Sequence, residues 1–323
     1  MKWDFNGFLG PHLAAYHELK VRLGYTSFRE LRFPRDMDQF TTYRYLSSFG
    51  QLDERFVWDW IHLHSKRAGK TKNRMLTYAR GFFDYLVRQR LITNNPALKV
   101  LPVKEKQFRP HIYSLHEIHQ ILQEASLWPG ALGRTFPVFL LLLYACGLRN
   151  SEARKLRIRD VDFDENMLLL FDTKFHKERL VPFSTTMSAR LKIYLAFRRK
   201  TFPTSSSNAP FFCHHHGALA KGTIQGTFHK ILVRCGLRPL KGGGPRLHDF
   251  RHTFAIHRLY KWYQEGHDVL NKLPMLSTYM GHVSLEGTQI YLSATQALLR
   301  EGDKRFQAGF EDIANKSLRR VFH

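Results

Sequence analysis

Residues 247–255 read Leu247-His-Asp-Phe-Arg-His-Thr-Phe-Ala255, and they begin a helix that we predict over residues 248–264. His248 and Arg251 stand three positions apart, so on a helix they share one face. Arginine presents a planar fork of donors that keeps its charge and fits the oxygens of a phosphate. This stretch therefore predicts a helix with an anion-binding face in the second half of the chain.

Side chains of related chemistry lie before and after this stretch. The run Ala145-Cys-Gly-Leu-Arg149 ends in an arginine, Lys174 lies in a polar turn, and Tyr291 comes nine residues after His282. Arginine, lysine and histidine can form a cage for a phosphate, and a tyrosine at its edge can attack that phosphate. The six candidate catalytic residues are Arg149, Lys174, His248, Arg251, His282 and Tyr291.

Each of these residues also has a structural interpretation. An isolated arginine is often a salt-bridge partner at a helix end, an isolated histidine is often hydrogen-bonded, and an isolated tyrosine is often packing. The functional interpretation is favoured because all six occur together and in order.

The order resembles the catalytic domain of the tyrosine recombinases, also called the phage integrase family, over roughly residues 112–300. Residues 65–100, with Leu86-Val-Arg and Asn95-Pro-Ala97, resemble the DNA-clamping N-terminal domain of that family. The catalytic motifs that carry the resemblance are Gly147-Leu-Arg149 followed by Ser151-Glu152, Lys174-Phe-His-Lys-Glu-Arg-Leu-Val-Pro182, His248-Asp-Phe-Arg251 followed by His252-Thr-Phe-Ala255, Gly281-His282, and Thr288-Gln-Ile-Tyr291.

One segment departs from part of this family. Residues 260–280 are longer than their counterparts in the Xer enzymes that resolve chromosome dimers. In the length of this segment, the chain looks more like the branches of the family that are encoded by transposons and related mobile elements.

The resemblance implies site-specific breakage and rejoining of double-stranded DNA through a 3′-phosphotyrosine. Tyr291 would be the nucleophile and Lys174 the acid for the leaving 5′ oxygen. It also implies a homotetramer on two DNA sites, with accessory or sister recombinases as further partners. No ATP, cofactor or metal is needed, because the tyrosyl ester keeps the energy of the broken bond.

Two alternatives stay open at this stage. Spacing alone does not separate Lys174 from Lys177, since both lie in or near the same turn. Residues 298–323 would pack as a helix either on their own domain or on a neighbouring protomer.

A tyrosine has an ordinary pKa of about 10, and we expect a cationic site to favour the phenolate of Tyr291.

The charge of the chain is high and unevenly distributed. The sequence holds 50 Lys+Arg against 27 Asp+Glu, a formal net charge of +23, which favours polyanionic partners. Residues 1–60 carry 8 basic and 8 acidic side chains, whereas residues 61–110 carry 12 basic and 2 acidic ones, a net of +10. The first stretch predicts a neutral helical scaffold, and the second predicts a nucleic-acid surface.

The basic stretch has helical order. Apolar residues recur at three- and four-residue steps at Leu76, Ala79, Phe83, Leu86 and Val87. The remaining surface of this helix would face DNA, although a merely solvated basic face is the alternative. The candidate DNA-binding residues are Lys70, Lys72, Arg74, Arg80 and Arg88.

Residues that end one helix and begin another divide the chain in two. Asn94-Asn-Pro-Ala97 ends the helical region, and Pro96, Pro102 and Pro110 suit an extended linker. Ser114-Leu-His-Glu117 is a capping box that starts a new helix. We therefore predict a helical DNA-clamping domain with its linker over residues 1–110 and a catalytic domain with a helical tail over residues 111–323.

We expect the fold to be mainly α-helical with a small antiparallel β-sheet, closing as a clamp around duplex DNA. The apolar runs Met167–Phe171 and Leu180–Phe183 predict a β-hairpin around the turn at Asp172–Arg179. Helices are predicted over residues 134–148, 151–157, 186–198 and 222–235, besides the one that begins at His248.

Other patterns bear on compartment and metal binding. Three widely spaced cysteines suggest a reducing cytoplasm, and no export signal or membrane span is predicted. Cys213-His-His-His216 is more typical of an exposed loop or the end of a strand than of a zinc site. His116-Glu-Ile-His119 misses the spacing of a zinc helix by one residue.

Two other functions would fit part of the pattern. A type IB topoisomerase would use similar chemistry to relax DNA without pairing sites. A non-catalytic DNA-binding regulator would have no need of Tyr291.

Overall fold

The structure, a computed structural model, describes residues 5–25, 32–63, 67–105, 110–171, 178–214, 217–238, 244–281 and residue 291. The chain divides into two compact units, Met1–Phe108 and Arg109–His323. Within those described ranges, no helix combines the length and the apolar character needed to cross a bilayer.

The first unit is helical. Its core contains Trp60, Phe82 and Phe83, none of which is exposed to solvent. The helices are α1 Gly10–Arg22, α2 Arg32–Tyr43, α3 Glu54–His62 and α4 Gly69–Arg88.

The buried face of α4 follows the predicted spacing. Leu76, Ala79, Phe83 and Leu86 are buried, while Val87 is half-buried at the edge of the face. The prediction of an amphipathic helix is confirmed, because these steps of three and four residues place the apolar side chains in one stripe.

Asparagine and arginine side chains hold the chain that follows α4. The side chain of Asn95 donates to the Arg80 carbonyl at 2.9 Å and to Asp84 at 2.7 Å, and it accepts from the Ala97 amide at 2.9 Å. Arg80 donates to the carbonyls of Ala97 and Val100 at 3.2 and 2.9 Å. The stretch predicted as a linker is therefore attached to α4 as it leaves the helix.

A second attachment lies further along the same segment. Asn73 donates to the Val103 carbonyl at 2.9 Å and accepts from the Val103 amide at 2.8 Å. It also donates to Glu105 at 2.8 Å. The prolines of this segment remove backbone donors, and side chains of α4 bind the carbonyls of Ala97, Val100 and Val103.

The second unit is mainly helical. Ser114 and Glu117 form the predicted capping box at the start of its first helix. The helices in chain order are α5 Leu115–Ser126, α6 Ala131–Cys146, α7 Asn150–Lys155, α8 Thr185–Thr201, α9 Lys221–Arg234, α10 Asp249–Gln264 and α11 Val269–Met280.

Small antiparallel sheets complete the second unit. Strand β2 Met167–Leu170 pairs with β1 Val161–Asp162 on one side and with β3 Arg179–Pro182 on the other. The short strands β4 Cys213–His214 and β5 Gly217–Ala218 pair with each other. The predicted hairpin and the predicted fold class, mainly α with small antiparallel sheets, are confirmed. Residues 172–177 of its turn lie outside the described residues.

Helix α6 runs through the core of the second unit. Phe136, Phe139, Leu140 and Leu143 are all at most 1% exposed. Each such side chain contributes about 1.5–3 kcal/mol by leaving water. A separate apolar cluster joins α10, α11 and Tyr291, and its members include Phe254, Leu276 and Met280.

We expect Asn95→Ala to destabilise the first unit by about 2 kcal/mol, because it leaves buried backbone groups without their partners. Hydrogen exchange of the α4 amides, followed by mass spectrometry on the full chain, should become about 30-fold faster if they exchange through unfolding of this unit. Asn94→Ala is the matched control, since that side chain is exposed and its loss should change stability by less than about 0.5 kcal/mol. Equal exchange in both variants would contradict the role given to Asn95.

Candidate active site

A tight turn delivers Arg149. Helix α6 ends at Cys146, and Gly147 takes the left-handed conformation with φ of 59°. A Cβ atom at Gly147 would lie 2.4 Å from Cδ1 of Phe254 on α10. Only glycine fits this close approach without strain, and the turn places Arg149 at the N-cap of α7.

Arg149 is held from two sides. Its Nη1 donates to Glu152 Oε1 at 2.7 Å and its Nη2 donates to the Gly281 carbonyl at 2.7 Å. Its backbone amide donates to the second oxygen of Glu152 at 2.8 Å. These contacts fix the guanidinium in one orientation before any ligand binds.

Glu152 also binds a second arginine. Arg179, the first residue of β3, donates to both oxygens of Glu152 at 2.9 Å. Burial alone would raise the pKa of Glu152, but the hydrogen bonds and charges of Arg179 and Arg149 bring it below its ordinary value. One buried carboxylate therefore joins the start of α7 to the hairpin strand.

Arg251 is buried at 1% exposure. Its Nη1 donates to the Gly147 carbonyl at 2.6 Å, and its Nη2 donates to the Met280 carbonyl. Burial, followed by the charge of Arg149, lowers the pKa of Arg251 to about 9, so the side chain remains charged at neutral pH. Within the described part of the chain, no carboxylate lies within salt-bridge distance of this guanidinium, although Glu152 lies near enough to favour its charge.

His248 lies at the N-cap of α10, with part of its surface open to solvent. Desolvation by the surrounding protein and the charges of His252 and Arg251 lower the pKa of His248, and Asp249 acts in the opposite direction. The ring is therefore neutral at pH 7. Arg251 follows three residues later in the first turn of α10, so the predicted helix does begin at this motif.

Tyr291 is buried at 1% exposure, and its hydroxyl lies 3.1 Å from Nδ1 of His252. Burial raises the pKa of Tyr291 to about 12, although Arg251 and Arg149 act to lower it. The net shift in the pKa of Tyr291 is therefore upward, and our expectation that the cationic site favours the phenolate is wrong. The arginines do act as expected, but desolvation of the phenolate is the larger effect.

The structure thus brings together Arg149, Arg251 and Tyr291, with His248 beside His252. Lys174, its alternative Lys177, and His282 lie outside the described residues. Glu152, Arg179 and His252 were quoted within the motifs but received no role from the sequence. Their contacts join residues that are distant in sequence or on separate elements, which spacing does not reveal.

The candidate DNA-binding residues of α4 differ in exposure. Lys70, Arg74 and Arg88 are exposed and Lys72 is half-exposed. Arg80, in contrast, uses two guanidinium nitrogens on backbone carbonyls of its own unit. We therefore interpret Arg80 as a structural side chain.

Comparisons with known proteins agree with this geometry. The model of the phage integrase family matches residues 114–297. A putative integrase/recombinase y4rB of Sinorhizobium fredii is 33% identical over 305 residues, covering 92% of this chain and 96% of that protein. Tyrosine recombinase XerC of Anoxybacillus flavithermus is 28% identical over 292 residues, covering 87% of this chain and 92% of that protein.

A solved structure shows the same fold. The lambda integrase tetramer bound to a Holliday junction aligns with a TM-score of 0.63 and 16% identity, over 85% of this chain and 77% of that one. Because the family model matches more than half of the chain and a full-length relative is 33% identical, the chain belongs to the phage integrase family of tyrosine recombinases.

Proposed function

We propose that this site-specific recombinase breaks and rejoins DNA with Tyr291 as nucleophile, at a phosphate held by Arg149 and Arg251. The observation that carries the proposal is the buried guanidinium of Arg251, whose hydrogen bonds go to the Gly147 and Met280 carbonyls rather than to a carboxylate. A buried charge is costly unless an opposite charge accompanies it. The scissile phosphate would supply that charge.

The two arginines would act on the transition state. A phosphodiester under attack gains negative charge on its non-bridging oxygens, and preorganised donors stabilise that charge. Glu152 and the Gly281 carbonyl already orient Arg149, so little reorganisation is needed during the reaction. His248 would add a donor on the solvent-facing side of the same phosphate. His282, close in sequence to Tyr291, would donate to the phosphate or help take the proton of the tyrosine.

Tyr291 would form the covalent intermediate. Attack of its oxygen on phosphorus gives a 3′-phosphotyrosine and a free 5′ hydroxyl, and attack by a 5′ hydroxyl reverses the step. The bond energy is kept in the ester, so the proposal includes no ATP, no cofactor and no metal ion. In this proposal Lys174 protonates the leaving 5′ oxygen, with Lys177 as the alternative.

The basic face of α4 would bind the DNA backbone. Lys70, Arg74 and Arg88 are exposed, and Lys72 is partly so. Lys and Arg on one face are the usual phosphate contacts of a duplex-binding protein. The helical first unit would therefore be the DNA-clamping domain, and the second unit the catalytic domain, closing around duplex DNA.

We further propose a homotetramer on two recombination sites, working in the cytoplasm and belonging to a mobile element, with accessory or sister recombinases as further partners. Support comes from the lambda integrase tetramer bound to a Holliday junction and from the putative integrase/recombinase y4rB. The high similarity to recombinases disfavours both topoisomerase-like relaxation and a non-catalytic regulator.

Tyr291→Phe should abolish covalent adduct formation while DNA binding is retained, since the variant loses only the nucleophilic hydroxyl. The measurement is adduct formation on a nicked suicide substrate, in excess EDTA, on a denaturing gel. Tyr279→Phe is the matched control, because that hydroxyl contacts the Cys146 carbonyl at 3.3 Å instead. An adduct at the wild-type level in Tyr291→Phe would refute the assignment.

Lys174→Ala should cleave normal DNA about 10²–10⁴-fold more slowly, because an alkoxide leaves poorly without its acid. Replacing the bridging 5′ oxygen by sulfur should restore most of the rate, since a thiol has a pKa of about 8–9 and departs unprotonated. Arg149→Ala should stay impaired on the sulfur substrate. If Lys177→Ala alone shows the rescue, Lys177 is the acid.

Replacing Lys70, Arg74 and Arg88 together by alanine should weaken DNA binding and flatten its salt dependence. Each lost phosphate contact changes the slope of log affinity against log salt by about 0.9, so three contacts change it by about 2–3. Arg55→Ala is the control, because this exposed arginine lies outside the basic stretch. An unchanged slope in the triple variant would mean that this face does not contact DNA.

A further inference from the structure

We propose that His252 is a catalytic residue that accepts the proton of Tyr291 during cleavage and returns it during rejoining. The inference rests on Tyr291 being the nucleophile, as proposed above. Its basis is the contact of the tyrosine hydroxyl with Nδ1 of His252 at 3.1 Å. A general base must lie within hydrogen-bonding reach of the proton that it removes, and this distance meets that requirement.

His252 lies beside the two proposed phosphate ligands at the start of α10, His248 and Arg251. It directly follows Arg251 on α10, and it lies one turn after His248. The His248 and His252 rings have centroids 4.8 Å apart, and the Tyr291 ring is 5.5 Å from that of His252. The start of α10 therefore carries two of the proposed phosphate ligands, His248 and Arg251, together with the side chain that contacts the proposed nucleophile.

The charge state of His252 suits a proton acceptor. Burial, followed by the charges of Arg246 and Arg251, lowers the pKa of His252 to about 4. The ring is thus neutral at pH 7, with Nδ1 able to accept when the proton lies on Nε2. His248 and Tyr291 also face this ring.

Bound DNA raises the pKa of His252 and so makes it a stronger base. A scissile phosphate held by Arg149 and Arg251 brings negative charge next to Arg251, one of the two arginines that lower the pKa of His252. The phenol, with its pKa raised to about 12, is a weak acid, so the proton moves as the bond to phosphorus forms rather than before it. The buried tyrosine therefore stays unreactive until a phosphate occupies the site.

The step balances as follows. The Oη–H bond of Tyr291 breaks, its electron pair forms the Oη–P bond, and the proton passes to Nδ1 of His252. The bond from phosphorus to the 5′ oxygen breaks, and that oxygen takes a proton from the lysine acid. In rejoining, the 5′ hydroxyl gives its proton back to the lysine, and the His252 imidazolium returns its own to the departing tyrosine oxygen.

The test uses single-turnover cleavage of the suicide substrate by the full chain. His252→Asn keeps an acceptor near the position of Nδ1 but is a far weaker base, so we expect cleavage to slow by about 10²-fold or more. If His252 only positions the tyrosine, this variant cleaves at nearly the wild-type rate and the proposal is wrong. DNA binding and the thermal unfolding midpoint of His252→Asn should match wild type.

A matched control lies on the same helix. His257 makes an equivalent contact through Nδ1, 2.9 Å from the Tyr144 hydroxyl, in a different part of the unit. His257→Asn removes the imidazole from this other Tyr–His pair, so its cleavage rate should stay at the wild-type level. A loss as large as that of His252→Asn would show that the effect is structural and would overturn the proposal.

Two further readouts separate proton transfer from folding defects. The wild-type cleavage rate should fall at acid pH as His252 becomes protonated. The cleavage rate of His252→Asn should lack this fall and should instead rise with pH as the phenol of Tyr291 ionises. Replacing Tyr291 by a ring-fluorinated tyrosine, whose phenol is more acidic, should shrink the His252→Asn defect by about tenfold. An identical pH profile and an undiminished defect would overturn the proposal.

The failure of this inference is distinguishable from failure of the proposed function. If wild type forms no adduct, or if Tyr291→Phe still forms one, the nucleophile assignment itself is wrong. If the adduct depends on Tyr291 but His252→Asn cleaves like wild type, only the role of His252 is wrong.

Discussion

The catalytic unit depends on the hydrogen bonds of one buried guanidinium. Arg251 joins the carbonyl of Gly147, at the end of α6, to that of Met280, at the end of α11. These are the two places where the chain turns toward the site, just before Arg149 and at Gly281. The same cation thus organises the backbone of the site and remains charged for a phosphate.

Burial and charge act against each other throughout this site. Burial removes water from Arg251, Glu152 and Tyr291, which by itself disfavours the charged form of each. For Glu152 the two arginines outweigh burial, and for Tyr291 they do not. The resting site therefore keeps an ionised carboxylate and an un-ionised nucleophile within one small region.

The sequence predicted the elements better than the contacts between them. The capping box at Ser114, the hairpin and the stripe on α4 follow from local spacing, and the structure confirms them. The partnership of Glu152 with Arg179 spans 27 positions, and the raised pKa of Tyr291 depends on how deeply a single ring is buried. The carbonyl contacts of Arg80 could not be predicted, because charge composition does not distinguish a solvent-facing arginine from one that binds nearby carbonyls.

One rigid helix carries much of the proposed machinery. His248, Arg251 and His252 all belong to the first turn of α10 or its cap, and one turn of a helix rises only about 5.4 Å. The proposed phosphate ligand Arg251 and the proposed proton acceptor His252 are therefore held at a fixed spacing by this helix. Tyr291 is 1% exposed at rest, so the tyrosine must become accessible to the phosphate before the proposed chemistry can begin.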